Sequence, residues 1–333
     1  MKVAVVGLGS MGQRRTRLIK QYDSSIEVFG IDTMPERCAE CQEKYGMKTF
    51  ASIPDLVAAE PEVSCIFIST GPLSHNPIIK ECIKYGLHVF TEINLVADGY
   101  EENIAAAREK GVKLFLSSTF LYRDEVAYIK KACDAAKQGK LNYIYHIGQY
   151  LPNWHPWEDY RKVFYASTNG CREIMAIDMP WILDIFGPVK KFSAMKSKNT
   201  DLDIAFNDNV YIMMEHENGN KGVFVCDVVT PQTERDFEVY GENFFLSWDG
   251  SATGIREWHA DPTAENPNKV ELTSVDIYGN NAENRSEYAS FVVENAYLNE
   301  IKAFFAYVKE GKEPVYTFEK DKILLDMISE VEK

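Results

Sequence analysis

Lys2-Val3-Ala4-Val5-Val6-Gly7-Leu8-Gly9-Ser10-Met11-Gly12 decides the fold of the first half of the chain. Five apolar residues read as a buried strand, and G-x-G-x-x-G then opens a helical stretch over 11–22. In that setting the glycines let the backbone turn tightly and approach a pyrophosphate seated on the helix N-terminus, where free N–H groups and the helix dipole favour an anion. A second strand over 27–32 ends on Asp32, twenty residues past Gly12. A carboxylate there accepts hydrogen bonds from a ribose diol and repels a 2′-phosphate. The cofactor expected is therefore NAD, with NADP second because Arg37 follows closely. Gly7, Gly9, Ser10, Met11, Gly12, Asp32 and Arg37 are the candidate cofactor contacts of this segment. The competing reading is a glycine turn that binds nothing; strand, spacing and acid together argue against it.

Working outward, short β-branched runs at 2–6, 27–32, 48–50, 63–69, 88–92 and 113–118 alternate with helical patterns at 11–22, 35–45, 53–59, 76–85 and 99–110. Such alternation builds a doubly wound parallel sheet of the Rossmann kind, with ligands outside the carboxyl ends of its strands. The pattern then changes. After a helix near 125–137, strands at 142–150, 190–196, 209–216, 222–229 and 235–240 follow, with Glu217-Asn218-Gly219-Asn220 as a hairpin turn. A helix over 172–186 interrupts them, and a closing helix near 295–309 ends before Gly311 and Pro314. The fold class is α/β: a dinucleotide-binding domain over 1–121 and an α+β domain over 122–333 with an open, mostly antiparallel sheet.

The formal net charge of -14 argues against nucleic acid or an anionic membrane as the main partner, since phosphate backbones demand a basic face. No apolar run reaches the ~18–20 residues of a membrane span, and the apolar start breaks at Gly7 too soon for a signal peptide. Seven cysteines without framework spacing fit reduced thiols, hence a cytoplasmic protein. Cys38 and Cys41 form a lone C-x-x-C with no second pair, so no metal is expected.

Three segments together resemble the glucose–fructose oxidoreductase, inositol dehydrogenase and rhizopine-catabolism (Gfo/Idh/MocA) family: the glycine loop; Ser69-Thr70-Gly71-Pro72 with His75; and Gly86-Leu87-His88-Val89-Phe90-Thr91-Glu92 before Ile93-Asn94, similar to the signature G-x-H-V-x-x-E-K-P. The resemblance implies an NAD(P)-dependent oxidoreductase of sugars, cyclitols or related polyols, whose second domain carries the substrate and forms homo-oligomers through its sheet. It implies that Thr70, Gly71, Pro72 and His75 line the cofactor cleft and that Glu92 lies near the nicotinamide ribose. The family's lysine, which contacts substrate and nicotinamide, falls on Ile93, and its proline on Asn94. Ile93 is carried as a substrate contact and Asn94 as a cofactor contact, although isoleucine donates no hydrogen bond. The family's D-x-x-x-H of the second domain falls, to within a residue or two, on Ile174 and Asp178, and no histidine lies between Thr168 and Gly187.

Other residues must supply the proton chemistry. Asp178 sits mid-face on the apolar side of its helix, among Ile174, Trp181, Ile182 and Ile185. A buried carboxylate there is either a general base of raised pKa or a structural group that caps backbone or pairs with an arginine. Pro152-Asn153-Trp154-His155-Pro156-Trp157-Glu158-Asp159-Tyr160-Arg161 reads as an aromatic loop over a pocket or an interface. His155 and Tyr160, with Tyr122 just past the sixth strand, are the remaining acid/base candidates. Trp154 and Trp157 are candidates for stacking on a sugar. Arg123, Arg161 and Arg172 are candidate anion contacts, hinting at a sugar acid or nucleotide sugar, although surface pairing is the commoner fate of arginine. Two functions are compatible with this set: hydride transfer between nicotinamide and a sugar-like hydroxyl or ketone, or a catalytically silent dinucleotide-binding sensor or regulatory subunit.

Overall fold

Strands β1 (Lys2–Val6), β2 (Glu27–Ile31), β3 (Thr49–Phe50), β4 (Val63–Ile68), β5 (His88–Thr91) and β6 (Leu114–Leu116) form a six-stranded sheet in the order β3-β2-β1-β4-β5-β6. Every pairing in it is parallel. Helices α1 (Ser10–Tyr22), α2 (Pro35–Tyr45), α3 (Ile53–Ala59), α4 (His75–Lys84) and α5 (Tyr100–Lys110) supply the crossovers. The strand order reverses between β1 and β4, the switch point where such sheets take their ligand. Val3, Ala4 and Val5 of β1 and Ile66, Phe67 and Ile68 of β4 have no exposed surface, as strands covered on both faces require. This is a computed structural model; it describes residues 1–136, 139–154, 159–242, 244–260, 265–266, 270–278 and 292–333.

The second part of the chain contains α6 (Asp124–Ala135), β7 (Asn142–Gly148), a short α7 (Tyr160–Val163), α8 (Gly170–Phe186), β8 (Val189–Ser197), β9 (Asn209–His216), β10 (Lys221–Asp227), β11 (Glu234–Gly241), β12 (Phe244–Trp248), β13 (Ile255–Ala260) and β14 (Val270–Val275). The eight strands form one open sheet in the order β14-β13-β12-β11-β7-β10-β9-β8. Only the β7–β10 pairing is parallel. Helix α8 covers one face: Trp181 meets Phe237 at 4.9 Å between ring centroids, and Phe186 stacks on Tyr143 at 4.3 Å. The turn at 217–220 is a hairpin between β9 and β10, with Gly219 at φ +88.

Helices α9 (Glu294–Glu310) and α10 (Phe318–Glu332) close the chain. Residues Met1–Thr119 and Tyr297–Leu325 make one compact unit, and Phe120–Ala296 with Asp326–Lys333 the other. The first crossing between these units falls at 119/120, where a boundary at 121/122 is expected from the sequence, and residues 297–325 return to the first unit. The physical reason is aromatic packing. Phe67, Phe90 and Phe115 stack across β4, β5 and β6 at 4.9 and 5.1 Å, and Phe304 of α9 meets all three edge-on at 5.1 to 5.8 Å. Among the described residues, no helix is long and apolar enough to cross a membrane.

Candidate functional site

The glycine loop joins β1 to α1. Gly7 has φ +88, and a Cβ there would lie 2.6 Å from the Ser69 carbonyl oxygen. A Cβ on Gly12 would lie 1.8 Å from the Gly7 carbonyl oxygen. The fold itself thus excludes side chains at both. Gly9 is different: its φ is -70, and the nearest atom to an added Cβ is the Arg37 guanidinium at 3.7 Å. Nothing in the chain requires glycine there, so a Cβ would fill a cradle that the fold leaves open. As the N-cap of α1, Gly9 brings no side-chain hydrogen bond, and the first turn of the helix carries no acidic residue. The N–H groups of a positive helix end therefore face the cradle unshielded, which fits a pyrophosphate.

Asp32 lies just past β2, 8% exposed. Its Oδ2 accepts from Leu8 N at 2.7 Å and its Oδ1 from Met34 N at 2.8 Å. A carboxylate offers about four lone-pair sites, so acceptor capacity remains for a ribose hydroxyl. The Arg37 guanidinium stands 3.8 Å from Oδ2. After β4, the Thr70 and Ser74 hydroxyls are 2.7 Å apart, and Ser74 Oγ donates to the Gly71 carbonyl. Gly71 is exposed and Pro72 starts a short 3-10 turn. His75 is buried, with Nδ1 at 2.8 Å from the Asn94 side-chain amide and Nε2 at 2.9 Å from the Thr70 carbonyl, and burial pushes its pKa down. Asn94, standing where the family signature has proline, thus anchors a loop at the carboxyl end of β4. Glu92 is gripped by Arg15 Nε and Nη2 at 2.7 and 3.1 Å, and Ile93 beside it is half-buried.

In the second unit Asp178 has no exposed surface. Its Oδ1 accepts from Tyr145 Oη at 2.5 Å and from Arg235 Nη1, and Arg235 Nη1 also reaches Tyr145 Oη at 2.9 Å. Of the two readings of Asp178, the structure realises pairing with an arginine. The Arg235 guanidinium lies 4.4 Å from the Phe120 ring, and Arg123 stands over Phe120 and Trp248 at 5.2 and 4.8 Å. These guanidiniums are built into the second unit's interior.

The three arginines expected to hold a substrate anion are each bound by a carboxylate. Arg123 pairs with Glu125 (2.5 Å), Arg161 with Asp159 (2.7 Å), and Arg172 with Glu332. Pairing is the commoner fate of arginine, and the acids of Arg123 and Arg161 lie only two residues away. Trp154 donates to the Gln149 carbonyl at 3.0 Å and packs edge-on against Phe164 at 5.4 Å, so its ring braces its own loop. Tyr160 accepts from Asp203 N at 3.3 Å, and Tyr122 ends a 3-10 turn, half-buried. His155 and Trp157 lie outside the described residues.

One group was not anticipated from the sequence. Glu173, in the first turn of α8, is half-buried, and its side chain has no hydrogen-bond or ion-pair partner among the described residues. Burial alone pushes its carboxyl up to about 7. A carboxyl poised near neutral pH suits proton transfer from a hydroxyl. The signal was faint: the D-x-x-x-H register was open by a residue or two, and Glu173 lies one residue from the assigned aspartate position.

Comparisons with known proteins agree with this geometry. The chain is 25% identical over 335 residues to a myo-inositol 2-dehydrogenase of Thermotoga maritima, covering 98% of this chain and 93% of that one. A UDP-N-acetylglucosamine 3-dehydrogenase from Acidithiobacillus ferrooxidans shares the fold with a TM-score of 0.76 at 16% identity, covering 100% of this chain and 96% of the other. A levoglucosan dehydrogenase, solved with NADH and levoglucosan, superposes with a TM-score of 0.79 at 15% identity, covering 99% and 96%. Residues 1–118 match the model of the Gfo/Idh/MocA oxidoreductases, described as an NAD-binding Rossmann fold. Residues 1–118, which carry the glycine cradle, are thus similar to the NAD-binding domain of those oxidoreductases.

Proposed function

We propose that the protein is an NAD-dependent dehydrogenase or reductase that moves a hydride between nicotinamide and a hydroxyl or keto carbon of a sugar, sugar acid, nucleotide sugar or cyclitol. The observation that carries this reading is the open cradle at Gly9 against an uncapped helix end, beside the carboxylate of Asp32. The near full-length likeness to a myo-inositol 2-dehydrogenase supports a polyol as substrate. When bound, NAD supplies the hydride acceptor.

The chain's own residues do the rest. The first-turn N–H groups of α1 bind the pyrophosphate, and the free lone pairs of Asp32 accept from the adenosine ribose diol. Arg37 offsets part of the repulsion between Asp32 and a 2′-phosphate, so NAD is preferred without NADP being excluded. As the hydride leaves the substrate carbon, the hydroxyl proton must go to a base. Glu173 is the candidate for that base, since burial raises its carboxyl to about 7 while Asp178 is held as a counter-ion to Arg235. Steady-state oxidation of a cyclitol and sugar panel by wild type and Glu173→Gln tests the reading. A turnover loss of roughly 10²–10⁴ is expected for the variant, and equal turnover refutes the assignment.

Exposed apolar residues on one face of the second sheet support a homo-oligomer. Met195 pairs across to Tyr211, and Met213 across Val223 to Ile144, giving contiguous side chains of which Met195, Tyr211, Met213 and Ile144 are 44 to 68% exposed. A second copy of the same face buries this patch. Light scattering of Met213→Glu should show a smaller assembly than wild type; an unchanged mass refutes this interface.

A further inference from the structure

Arg15 lies on α1, one turn beyond the glycine loop, with no exposed surface. Its Nε and Nη2 grip both oxygens of Glu92, and Nη2 also donates to Ser117 Oγ at 3.2 Å and Glu300 Oε2 at 2.8 Å. The rings of Phe90 and Tyr297 flank the guanidinium at 4.5 and 5.2 Å, so the fork cannot swing. Glu300 is fully buried too, and its Oε1 accepts from Ser117 Oγ and Ser118 N, both at 2.8 Å. Of the three charges, only Glu92 reaches the surface, with 13% of its side chain exposed.

Stability is a poor reason for such a cluster, since well-packed apolar residues serve a core equally well. Orientation is a better one. In a sheet of this strand order the dinucleotide crosses the carboxyl ends at the switch point. With the adenosine ribose at Asp32 after β2 and the pyrophosphate at α1, the second ribose falls over β4 and β5. Glu92 is the first residue after β5.

We propose that Arg15 is a positioning residue, which fixes the Glu92 carboxylate so that its exposed edge accepts hydrogen bonds from the nicotinamide-side ribose of the dinucleotide. The proposal rests on the cofactor reading given above. Lysine cannot replace Arg15, because a point charge on a flexible stem cannot bind both oxygens of Glu92 and reach Glu300 in one geometry.

ADP and ADP-ribose differ by that second ribose, so calorimetric titration of the full chain with each isolates its contribution. Wild type should bind ADP-ribose more tightly than ADP by roughly ten- to hundredfold, the worth of a hydrogen bond to a charged group. Arg15→Lys should erase most of that advantage while leaving ADP affinity within about threefold, well under one such bond. Parallel loss for both ligands means a merely structural role and overturns the proposal, as does an undiminished advantage. Should Arg15→Lys fail to fold, Glu92→Gln leaves the Arg15–Glu300 pair in place and must show the same selective loss; if it does not, the proposal falls. Wild type binding both ligands equally overturns the proposal and leaves the adenosine side of the cofactor site standing. Wild type binding neither overturns the cofactor reading itself.

Discussion

Glu173→Gln separates a titrating carboxyl from a bystander through stability as well as rate. Burial raises the Glu173 pKa from 4.5 to about 7, and among the described residues the side chain gains no partner in return. The folded state therefore binds a proton that the unfolded state has released across that window. Folding stability linked to this group is complete below pH 4.5 and is lost as pH rises through 7. The shift corresponds to about 3 kcal/mol at most, less whatever screening its partial exposure allows. Glutamine keeps the shape and cannot ionise. The variant should match wild type near the low end of the window and exceed it in stability, by up to about 3 kcal/mol, above the high end. Urea unfolding followed by tryptophan fluorescence on both sides of the window measures this directly. The same variant should lose the limb of the kcat/KM–pH profile that falls near 7 in wild type. Stability curves of wild type and variant that run parallel across the whole range would refute the reasoning.

Three further outcomes follow from the geometry. Because Asp32 also holds the Leu8 and Met34 amides, Asp32→Asn is a gentler probe than Asp32→Ala; it should narrow the preference for NAD over NADP in calorimetric titration, and a wild type preferring NADP would contradict the assignment. Asp178→Asn leaves the Arg235 guanidinium buried against a neutral amide, so it should destabilise the chain by about 3–5 kcal/mol in urea unfolding; full stability with turnover lost would restore Asp178 as the base. Ile93→Lys places an ammonium at a half-buried position, at a desolvation cost, so NAD-linked turnover should not rise; activity appearing only in this variant would mark the wild type as a silent binder.

The first unit was legible because its elements are local. The strand of 2–6, the glycine loop and the Asp32 spacing each carry their signal within a few residues, and the observed β1 has the bounds read from the sequence. The second unit was legible only in part. Strands β13 and β14 carry charged and polar residues such as Arg256, Glu257 and Glu271, and only pairing in register makes their alternation visible. Helix α10 lies beyond Gly311 and Pro314, residues that signal a helix end, and the return of α9 to the first unit depends on contacts some two hundred residues apart in the chain, such as Phe304 on Phe90. At the site, sequence placed Asp178 on an apolar face and left two fates open; the deciding partner, Arg235, comes from a distant strand. Pairing of Arg123, Arg161 and Arg172 was equally invisible, since side-chain direction settles which acid each one meets.

Hydride transfer itself is the most direct measure of the account. Purified protein should be incubated with NAD and separately with each of a set of cyclitols, aldoses, sugar acids and nucleotide sugars, while the reduced nicotinamide is followed by its absorbance. Reduction of NAD with at least one of these alcohols, faster than that of NADP, is the expected result. Tight NAD binding with no reduction by any of them, and no oxidation of NADH by the corresponding ketones, would contradict it and leave a dinucleotide sensor in its place.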